Sequence, residues 1–145
     1  MNWKTEAIEK LRRYDAMRQA VQNIPLEMER LKLAAVSLRG ASTDKTPVKG
    51  GGNRQEEALL SNLVHRQELS WSLEQAKCWV AVTEGALSTL TPEEKLVLHR
   101  LYICPQRGAV DRLCGELGVE QSSVYRKRDK ALHHFTVSLY GFPEI

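Results

Sequence analysis

Long apolar runs are missing from this sequence. None approaches the ~18 residues that a membrane-spanning helix needs. Trp3-Lys4-Thr5-Glu6 interrupts any apolar segment of the kind a signal peptide requires. Cysteine is scarce as well. Cys78, Cys104 and Cys114 are odd in number and far apart, and the histidines His65, His99, His133 and His134 make no pattern with them. A disulfide framework and a zinc site are therefore both unexpected, and no cofactor is expected either. Charge of one sign is nearly absent too: 21 basic against 18 acidic residues leave a formal +3. That is only a weak bias toward nucleic acid. What is present is ordinary for a soluble folded chain, with 42% hydrophobic and 27% charged residues in a length of 145. Wholesale disorder is excluded, and one compact domain, or a small domain with a helical arm, is expected in the cytoplasm with no membrane partner.

Periodicity then divides the chain. Tyr14, Met17, Val21, Ile24, Met28, Leu31, Ala35 and Leu38 recur at alternating spacings of three and four, an a/d heptad pattern. Pro25 interrupts it, which predicts a kink or a second helix starting near Asn23 or Ile24. Residues 1–40 read as an N-terminal helical arm. Residues 41–54 are small, polar and rich in breakers, and read as a flexible linker. Gly50-Gly51-Gly52 lacks both the preceding strand and the closing Gly-Lys-Ser/Thr of a phosphate loop. Residues 55–90 read as a long helix whose stripe is Leu69, Leu73, Ala76, Val80, Thr83, Leu87 and Leu90, with Leu59, Leu60, Leu63 and Val64 upstream. Trp71 and Trp79 fall off that stripe. The two long helices are expected to bury each other as a hairpin or to meet across a homodimer, the dimer being preferred for its long seam with charged flanks.

Residues 91–145 form the segment that carries a function. Thr91-Pro92-Glu93-Glu94 is a helix start with a capping box and proline at the first helical position. That helix should stop near Cys104-Pro105. A short helix over 109–117 then ends at Gly118, where a turn needs positive φ, and a longer one starts near Glu120 and reaches about Thr136. Leu113 and Leu117, the small Cys114, Val119, and Val124 with Ala131, Leu132 and Phe135 supply the core of a helix-turn-helix. The expected fold is all-α: two long N-terminal helices plus this C-terminal domain.

The exposed face of the second helix decides what such a core is for. Gln121, Ser122, Ser123, Tyr125 and Arg126 face outward near its start. Glutamine can bond adenine and arginine can bond guanine bidentately, while short serines let the backbone approach the groove. Lys127, Arg128 and Lys130 follow as candidates for phosphate contacts on its flanks. The region 91–145 as a whole has eight basic and seven acidic residues, so it is this cluster and not the net charge that points to duplex DNA.

Residues 87–135 resemble region 4 of bacterial sigma factors, with Ser123-Val124-Tyr125-Arg126 and Lys130-Ala131-Leu132 matching best. In layout the whole chain is similar to the small ArpU-type phage regulators, which join N-terminal helices and a polar linker to a sigma-region-4-like end. The resemblance implies a DNA-binding transcriptional regulator, with late-gene control in a phage or prophage, a bacterial host cell and RNA polymerase as a further partner. Two departures stand out. Arg128 occupies a position that is often aliphatic, and the loop Cys104-Pro105-Gln106-Arg107-Gly108 lacks an aromatic residue.

Two other readings compete. A small-terminase-like packaging component also joins a helix-turn-helix to oligomerising helices, but usually places the DNA-binding module first. A helical protein that binds only other proteins could share the same core. No enzyme is expected, since Glu93, Glu94 and His99 lie on a helix start and face with no converging nucleophile, metal set or cofactor loop.

Overall fold

The computed structural model describes residues 2–43 and 51–141, and these are all-α, with six α-helices, one π-helical turn and no strand among the described residues. In chain order they are α1 (Trp3–Arg12), α2 (Tyr14–Thr43), α3 (Gly51–Leu87), α4 (Pro92–Leu98) widening into the π-turn His99–Ile103, α5 (Ala109–Leu117) and α6 (Gln121–Tyr140). No helix among the described residues is long and apolar enough to cross a membrane. Of the linker read at 41–54, residues 44–50 lie outside the described residues, whereas 41–43 belong to α2 and 51–54 to α3, so the helices reach further into that stretch than its breaker-rich composition suggested.

The first helical break is not at proline. Pro25 stands inside α2 at an exposed position. There it removes one backbone donor, and the carbonyl left behind can turn to water. The break falls instead at Arg13, whose N–H still bonds Glu9 O at 3.1 Å before α2 begins. Nothing local marks Arg13 as a breaker; packing does. Ala7 and Leu11 are fully buried in one cluster with Leu132 and Phe135. The expected arm 1–40 is therefore divided. Met1–Arg18 packs with Cys78–Ile145 as one compact unit, and Gln19–Lys77 forms another.

Within Gln19–Lys77 the helical stripes bury each other. Ile24, Leu31 and Ala35 of α2 and Ala76 of α3 are buried, and Met28 and Leu38 are half-buried at the same heptad spacing. The seam that suggested a homodimer is thus consumed inside the chain, and the hairpin is what forms. On α3 the inward positions upstream differ from those expected. Asn62 is buried, and Gln55, Ala58, Leu59 and Arg66 are half-buried, while Leu60, Leu63 and Val64 are exposed. Asn62 donates to Leu31 O at 2.8 Å and accepts from Arg66 Nε at 2.8 Å. A buried asparagine satisfied in this way fixes helix register, as single polar residues do in coiled coils.

In the other unit two clusters meet around α4 and α6. Ala7, Leu11, Tyr14, Ala86, Leu90, Leu98, Ile103, Ala131, Leu132 and Phe135 form the larger. Val97, Leu113 and Val124 form the smaller, with Cys114, Leu117 and Val119 packed against it. The π-turn closes with Cys104 N–H on His99 O at 2.9 Å, and its extra residue lets Ile103 join the core behind Leu98. Trp79 is half-buried, its indole N–H on Lys10 O at 3.2 Å, whereas Trp71 is exposed.

α6 runs to Tyr140, four residues beyond the expected end, because Leu139 and Tyr140 still find apolar partners, among them the ring of Trp3 at 4.7 Å. The Tyr140 hydroxyl is buried without a hydrogen-bond partner. Tyr140→Phe should consequently leave stability unchanged or raise it by about 1 kcal/mol, read from the urea midpoint, since an unpaired buried hydroxyl costs about that much.

Candidate nucleic-acid interface

The sequence dictates the local geometry here with few degrees of freedom. Thr91 Oγ1 accepts from the Glu94 N–H at 3.2 Å, and the Glu94 carboxylate accepts from the Thr91 N–H at 3.1 Å, so α4 begins with the expected capping box. α5 stops at Gly118, which takes φ 65° and ψ 38° and lets Val119 N–H reach Cys114 O at 3.2 Å. A Cβ at this position would meet no atom within 4 Å, so a substitution would strain the backbone alone. Gly118→Ala should destabilise the chain by about 1 kcal/mol, the cost of a left-handed alanine, and Gly118→Asn by less. Chemical denaturation of both variants checks the order. After Gly118, Glu120 adopts an extended conformation and its carbonyl receives the N–H groups of Ser123 and Val124 at 3.0 and 3.1 Å, which opens α6.

Val124, Ala131, Leu132 and Phe135 are buried, so the opposite side of α6 faces solvent. Steps of four and three residues bring Ser122, Arg126, Lys130 and His133 onto that side, and all four are exposed. Among the described residues no ion pair or hydrogen bond engages Arg126 or Lys130. The other candidates are placed differently. Gln121 donates to the Tyr125 hydroxyl at 3.2 Å, so these two exposed side chains hold each other on the neighbouring stripe. Ser123 is half-buried.

Lys127 is tied to Glu93 of α4, and Arg128 lies over the Tyr125 ring at 5.1 Å with its guanidinium on Asp129 at 2.9 Å. Both are half-buried. Of the eight residues proposed from sequence, Ser122, Arg126 and Lys130 are brought into one line, Gln121 and Tyr125 lie beside it, and Ser123, Lys127 and Arg128 are turned toward the flanks. His133 was missed, although its spacing from Arg126 and Lys130 extends the same line.

Two arginines, in the π-turn and in α5, share one carboxylate. Glu116 binds Arg100 of the π-turn at 3.1 Å and Arg112 at 3.3 Å. Arg107 is exposed in the loop before α5. Between α4 and α6, Glu94 bonds the ring of His134. Burial pushes the Glu94 carboxyl up, but the hydrogen bonds from Thr91 and His134 outweigh it and hold the group below its ordinary value of 4.5.

A carboxyl held low in the folded state stabilises the fold above its unfolded pKa, and that stability is lost as pH falls through the folded value. Wild-type thermal stability should therefore drop below about pH 4.5, and Glu94→Gln should flatten the drop. Melting curves from pH 7 to pH 3, followed by circular dichroism, check this.

These observations define the class: an all-α chain whose C-terminal helices form a helix-turn-helix with an outward line of unpaired cations. No family model matches the chain, and neither a curated protein nor a solved structure resembles it closely enough to count as a match.

Proposed function

We propose that the chain binds duplex DNA sequence-specifically through the outer face of α6 and acts as a transcriptional regulator, with no catalytic activity of its own. The observation that carries this reading is the line Ser122–Arg126–Lys130. Arg126 and Lys130 are exposed and unpaired there, while Arg100, Arg112, Lys127 and Arg128 nearby hold acidic partners. A helix bearing a short polar residue in its first turn, then an arginine and a lysine each one turn further, suits a major groove with phosphates at its rim. The resemblance to sigma region 4 and to ArpU-type regulators supports late-gene control in a phage or prophage, with RNA polymerase as a second partner. Self-association has to use a surface other than the heptad seam, which the hairpin occupies.

Selection of bound sequences from a random duplex pool, followed by binding at several salt concentrations, tests the proposal. One consensus should emerge. Affinity should fall at least tenfold between ~50 and ~200 mM salt, the loss expected when two or more phosphates are neutralised. An unselective pool, or affinity indifferent to salt, would overturn it.

A further inference from the structure

The hairpin of Gln19–Lys77 carries two apolar edges in addition to its seam. An α-helix turns 100° per residue, so a side chain two positions along lies almost across the helix. Leu26 and Leu33 are so placed with respect to Ile24, Leu31 and Ala35, and Leu60 and Val64 with respect to Asn62. Trp71, nine residues on, also lies opposite Asn62. The edge of α2 therefore consists of Leu26 and Leu33, with Val36 beside them, at 70%, 61% and 65% exposure. The edge of α3 consists of Leu60 and Trp71 at 61% and 68%, with Leu63 and Val64 at 43%. Each edge faces away from the partner helix of its own chain.

The register of the hairpin makes the two edges complementary. Asn62 bonds Leu31 O and Gln55 bonds Leu38 O, seven residues apart on each helix and in opposite directions, which fixes an antiparallel alignment. In that alignment Leu33 is level with Leu60, and Leu26 falls between the levels of Val64 and Trp71. A second copy set alongside at the same height thus places its Leu26 in the gap between Val64 and Trp71, and its Leu33 against Leu60. At these exposures the two edges together offer on the order of 700 Å² of apolar surface. With a polar rim in the usual proportion, that corresponds to an interface of about 1,200 Å², the lower bound for specific association.

We infer that copies of this chain associate edge to edge, the α2 edge of one on the α3 edge of the next. Such a contact is heterologous, because each copy joined at one edge still presents the other. Association therefore passes beyond two, since every added copy presents a free edge to the next. This inference is independent of DNA binding.

Native mass spectrometry and sedimentation of the full chain, at the highest soluble concentration, test it. The wild type should form species larger than a dimer. Leu33→Glu and Trp71→Glu should each be monomeric, and an equal mixture of the two should form a one-to-one dimer, since each variant retains the edge that the other lacks. Far-UV circular dichroism verifies that helix content is kept, and Leu33→Gln and Trp71→Gln replace any variant that loses it. A monomeric wild type, a wild type that stops at two, one variant that still associates alone, or a mixture that stays monomeric would each overturn the inference.

Discussion

Phe135→Ala is expected to cost roughly 3–5 kcal/mol of folding stability, the range for truncating a fully buried aromatic residue. Phe135 has no exposed surface and belongs to the cluster that joins α1, the end of α3, the π-turn and α6. Removing its ring leaves a cavity that rigid helices on several sides cannot close. A domain of this size has about 5–15 kcal/mol of total stability, so the loss is a large share of it. Urea denaturation read by circular dichroism measures the change. Tyr125→Ala, on an exposed position of the same helix, serves as the comparison and should cost less than about 1 kcal/mol. Equal losses at the two positions would mean that α6 is not packed as described.

Arg126→Ala is expected to remove roughly 1–3 kcal/mol of discrimination between the selected DNA sequence and its single-base variants, as losing one bidentate base contact does. Lys130→Ala should instead weaken binding to every sequence alike and lower the dependence of log affinity on log salt by about one. The distinction comes from position on one line. Arg126 lies one turn into α6, within reach of base edges, and Lys130 a turn further, where the groove wall rises. Lys127→Ala, which loses its tie to Glu93 of α4, should act mainly on stability. Competition binding with the selected duplex and its variants measures all three. If Arg126→Ala leaves base preference intact, a different face of the helix is engaged.

How much of this was legible in the sequence follows from how local each feature is. The capping box at Thr91 and Glu94, the bounds of α5, the turn at Gly118 and the inward set on α6 were all readable, because each depends on residues within a few positions of one another. The break at Arg13 was not, since no residue there disfavours helix and only burial of Ala7 and Leu11 against distant partners produces it. At Pro25 the second-helix alternative does not hold, because α2 continues through the proline at an exposed position. The seam of α3 was misjudged around Leu60, Leu63 and Val64, where the inward positions are held by Asn62 and its neighbours and the leucines face out. In the candidate site, Lys127 read as a free cation because the Glu93 carboxylate that ties it lies 34 residues away. Arg128 is held by near partners, Asp129 beside it and the Tyr125 ring three residues back, a spacing at which helical side chains meet.

The packing of α1 against α6 also bears on how the molecule is made. Leu11 and Phe135 share one cluster although on the order of a hundred residues separate them, and contacts of that sequence separation raise contact order and slow folding. α1 is synthesised first and cannot bury Ala7 and Leu11 in this cluster until α6 has been made. Until then those two side chains stay open to water and to other nascent chains. A piece beginning at Thr91 would instead leave open, permanently, the faces of Leu132 and Phe135 that α1 covers. Such a piece should be recovered in lower soluble yield than the full chain, and adding a peptide that spans Asn2–Arg18 in trans should restore part of it.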